Sequence, residues 1–426
     1  MRRYETTHPW IRFSAEKIKN KASLWALLGE IQSKCEHIAG VPLRPDVAED
    51  MHRIYLAKGA FATTAIEGNT LSEEEVLKVL SGELKLPHSR EYLKQEVENV
   101  FEAFKTIYDQ IKGSSLPEMT VDELKSLNRC ILQGLTLEPS VVPGEIRKHD
   151  VGVFRYRGAP PEDCQYLLER TIDWLRHGPE FQLDPDMAIM AGVIKAIMGH
   201  LYLAWIHPFG DGNGRTARLV EYRVLLKCGV PSPAVHLLSN HYNLTRAEYY
   251  RQLDRASASG GDYLPFVEYA LRGLVDGLRE QIQYIRKFQL EVIWRNYVHE
   301  RFGERKSDVD RRRRDLVLAL GDKRAPVRMA QIPDLSPAMA IRYGTKSRML
   351  LNRDLNSLKA MGLIERGPSG SRAKIEVVEA FLPFRLPPKK RDSEEEGNET
   401  IREDTLFADL RTNPAREGDK DAGAAI

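Results

Sequence analysis

The chain has 426 residues, of which 42% are hydrophobic and 29% charged. That excludes a single small module and gives room for about two or three domains with buried cores. With 63 Lys+Arg against 61 Asp+Glu the net charge is +2, so the total alone marks neither a nucleic-acid protein nor an acid-tailed one. The four cysteines, Cys35, Cys130, Cys164 and Cys228, contain no CxxC pair, so a zinc cage and a disulfide framework are not expected and a reducing cytoplasm is. No apolar run approaches the roughly 18 residues of a membrane span, and Met1 to Glu5 lacks the apolar core of a signal peptide. The expectation is a cytoplasmic protein with no membrane partner.

From Pro45 to Ile66 apolar residues recur at spacings of three and four, which predicts an amphipathic helix stopped by Gly68 and Asn69. Helical patterns follow at Ser72 to Leu80, Glu91 to Ile111, Thr120 to Leu135 and Pro161 to His177. Between them, Val142 to Arg147 and Val151 to Arg155 read as a short extended pair, because valines, an aromatic and alternation replace the helical period. A long apolar helix is expected from Asp186 to Trp205, ending at Ile206-His207-Pro208. A residue before proline avoids the helical region, so His207 belongs to a forced turn. The next helix spans Asn213 to Lys227, and the polar segment before it is a loop pinned at both ends.

Beyond residue 300 the composition changes. Residues 301–375 hold 18 lysines and arginines against eight acids, including the run Arg311 to Arg314. Helices are predicted at Arg313 to Leu320, Pro337 to Tyr343 and Thr345 to Met361, the last with Leu351, Leu355 and Leu358 inward. A hairpin then pairs Leu363 to Arg366 with Ala373 to Val377, and three helices plus a hairpin form a winged-helix pattern. From Pro387 to Ile426 only five of 40 residues are Ile, Leu or Phe while 18 are charged, which predicts a disordered tail. The division expected is 1–110 as an N-terminal helical region, 111–285 as the core, 286–386 as a winged-helix domain and 387–426 as the tail.

The densest chemistry lies from His207 to Arg218. Gly212 and Gly214 let backbone N–H groups approach an anion at a helix N-terminus, forming a phosphate cradle. Arg215 and Arg218, three residues apart, can address the same anion. Cations at that end oppose the helix dipole, so a negative ligand is implied. Asp211 beside a phosphate suits a magnesium anchor. His207 has the one side chain in the segment that titrates near neutrality, which suits a general base. The Walker loop GxxxxGK(S/T) is absent, and no strand precedes the glycines as a dinucleotide fold requires.

These residues match HxFx(D/E)GNGRxxR, the motif of the Fic (filamentation induced by cyclic AMP) family, at every fixed position. The resemblance implies a mainly α fold and transfer of AMP from ATP to a Ser, Thr or Tyr hydroxyl of a target protein. It also implies His207 as general base, Asp211 as the Mg2+ ligand and Phe209 as a buried loop anchor. Gly212, Asn213 and Gly214 would then meet the phosphates, with Arg215 and Arg218 on the outer ones. Thr63 to Gly68 matches the same family's inhibitory motif (S/T)xxxE(G/N), with Thr63, Glu67 and Gly68 at its fixed positions and Arg218 as the implied partner of Glu67. A carboxylate in that clamp competes with the terminal phosphate of ATP.

Residues Gly144 to Phe154 resemble the family's flap, which holds a target peptide by strand addition. Asn240, Asn243 and Glu248 to Tyr250 fall where the family places residues around the adenine, although Tyr249 and Tyr250 also read as core aromatics. Related sites remove AMP or transfer other groups, and a nucleotide-sensing DNA-binding regulator is the alternative that the basic segment suggests. Further partners to consider are a second copy of the chain and duplex DNA. Four features carry no chemistry in this reading: Glu73 to Glu75 compensate a helix dipole, His200 packs within a helix, the His149-Asp150 pair lacks further metal ligands, and Arg311 to Arg314 open a solvated helix.

Overall fold

The computed structural model describes residues 1–42, 45–113, 117–153, 155–305, 307–323 and 325–379. The tail expected over 387–426, the last residues of the 286–386 domain and Phe154 lie outside these. The described chain is mainly α, as expected, with two small two-stranded sheets. It divides into compact units, one spanning Met1–Ile282 and the other starting at Gln283.

In the first unit, α1 (Tyr4–Thr7), α2 (Ala22–Ala39), α3 (Pro45–Ile66), α4 (Glu73–Leu80), α5 (Glu91–Lys112) and α6 (Val121–Ile131) precede a hairpin of β1 (Gly152–Val153) and β2 (Tyr156–Arg157). Then come α7 (Pro161–His177), α8 (Ala188–Ile206), α9 (Asn213–Lys227), α10 (Leu237–Leu244), α11 (Arg246–Ala258) and the start of α12 (Leu264–Phe302). Local chemistry sets the ends. Ser72 caps α4 by accepting from the backbone of Glu75 while the Glu75 side chain accepts from Ser72, so the Glu73 to Glu75 run completes a capping box. Gly68, at φ 103°, turns the chain out of α3, and Asn69 N donates to Thr64 O as in a Schellman closure.

Helix α8 is apolar on every side and buried on nearly every side, which makes it the central post of the unit. The stretch Pro185–Ile206 is in fact long and apolar enough to cross a membrane: an 18-residue window of it has mean hydropathy 1.6, and 67% of that window is buried inside the fold. This corrects the expectation that no such stretch exists. Helices α2, α7, α9 and α11 pack on α8, and α3, α5 and α6 pack on α9. Residues 1–110 therefore do not stand apart from the core, because α2, α3 and α5 supply walls that α8 and α9 need.

The extended pair is also rearranged. Among the described residues Val142 to Arg147 does not pair with Val151 to Arg155. Ile146 instead makes a single antiparallel bridge to Phe209, and Gly152 and Val153 pair with Arg157 and Tyr156. Arg147 turns its side chain inward, onto the carbonyls of His207, His149 and Ala159.

The second unit holds the end of α12, then α13 (Asp308–Gly321), α14 (Pro337–Tyr343), α15 (Arg348–Ala360), β3 (Ile364–Gly367), β4 (Gly370–Ala373) and α16 (Glu376–Glu379). Leu351, Leu355 and Leu358 point into a core shared with Leu316, Val317, Leu320 and Leu363. The second strand ends at Ala373, earlier than expected, and Ser371 bridges to Val327. Arg312 and Arg313 do not face solvent freely: each donates at 2.8 Å to opposite oxygens of the buried Asp354.

Candidate active site

Helix α8 must end at Ile206 because Pro208 cannot continue it. His207 takes φ 51° and ψ 58°, and among described non-glycine residues only Phe13 shares a positive φ. Left-handed backbone at a residue with a side chain costs on the order of 1–3 kcal/mol and persists only when its surroundings impose it. Arg147, 4% exposed, imposes it. Its Nε donates to His207 O at 2.7 Å, Nη2 to Ala159 O at 2.5 Å and Nη1 to His149 O at 2.7 Å, while its backbone N donates to Pro208 O at 3.0 Å.

The rest of the loop is folded on itself. Phe209 is buried as an anchor. The Asn213 amide is spent on that anchor: Oδ1 accepts from Phe209 N at 2.9 Å and Nδ2 donates to Phe209 O at 2.8 Å. Both ends of the Asn213 side chain therefore close the loop. Gly212 sits at φ 75°, and a Cβ there would press on the side chains of Asn128 and Ile131 at 3.0 and 3.1 Å. The fully buried Asn128 donates to Asp211 O at 2.9 Å and accepts from Gly144 N at 2.9 Å, tying the two loops to α6.

Helix α9 then begins with no side-chain cap, so its first N–H groups keep their anion-binding capacity. Arg218 is 1% exposed. Its Nε donates to Thr63 Oγ1 at 2.5 Å, and Nη2 donates to Thr63 O at 3.0 Å and to Glu67 Oε1 at 2.6 Å. Its buried Nη1 has no partner among the described residues. A Cβ added to Gly214 would collide with Glu67 Oε1 and meet that same Nη1 at 3.2 Å. The space above the start of α9 is thus occupied by a carboxylate and bordered by an under-satisfied guanidinium. Arg215, also buried, pairs with Glu96 at 3.2 Å and with Asp211 at 3.5 Å.

Glu67, His207 and Gly214 line one cavity of about 450 Å³, closed by Tyr156 and Val153 of the hairpin and by Tyr249, Tyr250 and Leu253 of α11. Burial pushes the Glu67 carboxyl up, but the Arg218 guanidinium, with smaller help from Arg215 and His207, outweighs it and holds the group below its usual value. Burial pushes His207 down to about 4, aided by Arg147 and opposed by the Ala204 carbonyl, Glu67 and Asp211. His207 is therefore neutral near pH 7 and able to accept a proton. Asp211 remains half-exposed, with Oδ1 accepting from Gly212 N at 2.5 Å. One accessible carboxylate beside an anion cradle fits a magnesium ion that takes its remaining ligands from phosphates and water.

Two placements differ from expectation. Asn240 and Asn243 sit on α10 and do not line the cavity, whose wall comes from α11. Tyr249 is at once core and wall: it is 2% exposed, lines the cavity, and its hydroxyl lies 2.8 Å from His200 Nε2. His200 is fully buried, as a packed helix histidine should be. Arg147 and Asn128 were not identified from sequence. No local motif surrounds either, since their partners are carbonyls and amides of loops far along the chain.

Comparison with known proteins agrees with this geometry. The Fic/DOC family profile matches residues 118–225. The protein adenylyltransferase fic-1 of Caenorhabditis elegans is 31% identical over 212 residues, which is 50% of this chain but 38% of that protein. The chain thus spans well under half the length of that curated relative. The solved structure of Caenorhabditis elegans Fic-1 (residues 134–508) superposes with TM-score 0.53 at 26% identity, covering 62% of this chain and 74% of that one. A Fic family protein from Desulfovibrio desulfuricans G20 shares the fold with TM-score 0.50 at 24% identity, covering 83% of this chain and 96% of that one. Over residues 118–225 the chain is thus similar to the Fic/DOC family.

Proposed function

We propose that the protein is a protein adenylyltransferase that moves AMP from ATP to a hydroxyl of a target protein and is held at rest by Glu67. The observation that carries this reading is the meeting, in one cavity, of a neutral imidazole and the start of an uncapped helix whose anion position is filled by the protein's own carboxylate.

In this reading the target hydroxyl attacks the α-phosphorus of ATP, pyrophosphate leaves, and His207 takes the hydroxyl proton. Arg147 fixes the His207 carbonyl and so the direction of the imidazole. The backbone of α9, with Arg215 and Arg218, stabilises charge on the phosphates. Asp211 would hold Mg2+, which when bound neutralises charge on the triphosphate. Tyr250 and the apolar rim of α11 offer a surface on which the base can stack. Glu67 competes with the terminal phosphate for Arg218, because both are anions seeking the same guanidinium.

Incubation with α-labelled ATP and a protein lysate tests the reaction. His207→Ala should lower AMP transfer on the order of 1,000-fold, the size of a general-base contribution, with helical content retained. Transfer at the unsubstituted rate would refute the assignment.

A further inference from the structure

The second unit contains a surface that AMP transfer does not use. Helices α14 and α15 are joined by four residues, Gly344 to Ser347, the spacing of a helix-turn-helix pair. Ser347 caps α15 by accepting from Leu350 N, so the turn is fixed locally. One side of α15 faces the core through Leu351, Leu355 and Leu358. The other side is exposed and carries Arg348, Met349, Asn352, Arg353, Asn356 and Lys359.

The charge on that side is one-signed. From Pro337 to Ala360 the chain has a single acid, Asp354, and it is 0% exposed, saturated by Arg312, Arg313 and the Tyr343 hydroxyl at 3.1 Å. Among the described residues Lys346, Arg348, Arg353 and Lys359 form no ion pair. Of the neighbouring basic residues, Arg342 of α14 pairs with Asp315, and Arg372 of the hairpin with Glu365 and Glu376. Asp315, Glu365 and Glu376 are thus engaged away from the exposed side of α15. Two amides, Asn352 and Asn356, lie among the free cations, and amides are the side chains that read adenine edges in a major groove. Met349 is 82% exposed and Ile341, on α14, 79% exposed, apolar groups of a kind that meets thymine methyls. Asn356 also holds Arg366 of β3, which links the hairpin to the same face.

We propose that α15 is a recognition helix that enters the major groove of duplex DNA, with the β3–β4 hairpin as an adjoining wing. A groove wall of phosphates complements a face with cations and no acids, and an acidic protein partner would not use the paired asparagines. The α15 helix, at about 1.5 Å per residue, is roughly 20 Å long, enough to lie in one groove.

The test is binding of the full chain to a fluorescent random-sequence duplex of about 30 base pairs, followed by selection of preferred sequences. Four phosphate contacts predict a loss of affinity on the order of 100-fold between about 50 and 200 mM salt. Arg348→Ala with Arg353→Ala should flatten that dependence and weaken binding at least about 10-fold. Asn352→Ala with Asn356→Ala should relax the selected sequence while leaving salt dependence and helical content unchanged. The proposal is overturned if no duplex is bound at low salt, if single strands compete equally, or if the arginine variant binds DNA as the parent does. AMP transfer by these variants should match the parent, so failure here is separable from failure of the enzymatic reading.

Discussion

Two buried charge clusters, one in each unit, use the same residue types to opposite ends. Around Asp354 the buried group is the carboxylate, and two arginines and a tyrosine hydroxyl satisfy it. Around Arg218 the buried group is the guanidinium, its carboxylate partner Glu67 keeps 32% of its side-chain exposure, and one nitrogen is left without a partner. Each cluster also contains a buried guanidinium nitrogen without a partner among the described residues, Nη2 of Arg312 and Nη1 of Arg218, so what separates them is that the Asp354 carboxylate is fully enclosed. A cluster with an orphan donor and a displaceable partner can exchange that partner for another anion, and the price of the orphan is recovered when it does.

The contrast is broken most severely by Asp354→Ala. It leaves two arginines and a hydroxyl unpaired and should destabilise the second unit by about 3 kcal/mol, read as an earlier transition in chemical denaturation. A loss near zero would show that the cluster is not structural. Arg147→Lys comes next: a lysine cannot reproduce a fork serving several carbonyls. AMP transfer should fall about 30-fold, some 2 kcal/mol, with ATP affinity nearly unchanged. An equal loss in ATP affinity would mark Arg147 as a general scaffold rather than a positioning residue for His207.

Glu67→Gly sharpens the comparison from the other side. ATP affinity, measured by calorimetry, should rise about 10-fold, and AMP labelling with it. Unchanged affinity would mean that Glu67 does not compete for the phosphate position. The smallest effect concerns pH. The folded protein holds His207 at about 4 and the buried His236 at about 3, both below the unfolded value near 6.5. The unfolded chain therefore binds protons first, so stability is complete above pH 6.5 and declines as pH falls toward 4. About 1 kcal/mol should be lost between about pH 7 and 6, and His207→Ala should reduce that slope.

Much of the molecule could be read from its sequence where the signal was local. The bounds of α3, α7, α9 and α14 follow from periodicity, prolines and caps. The His207 to Arg218 segment is one loop and one helix start, so its spacing alone brought most of the site together. Non-local structure was less legible. Ile146 pairs with Phe209, some 60 residues away, rather than with the hairpin. Asn243 was assigned by position along the chain, but α10 and α11 exchange roles through a short turn that leaves α10 behind the wall. The place of Asn213 came from the family resemblance, and its local work, closing the loop with both ends of the amide, has no signal in the sequence. The Arg311 to Arg314 run read as a solvated entrance because nothing in sequence shows that Asp354 is buried.

The backbone at residue 207 has one more implication. A glycine would occupy that left-handed corner at no steric cost, so on stability alone histidine is a poor occupant. The carbonyl grip of Arg147 exists to offset a preference that the side chain's chemistry creates, and relaxing either would let the other drift. In this loop rigidity is maintained against the chain's own inclination, and the stability forgone there measures what is required to keep one imidazole aimed.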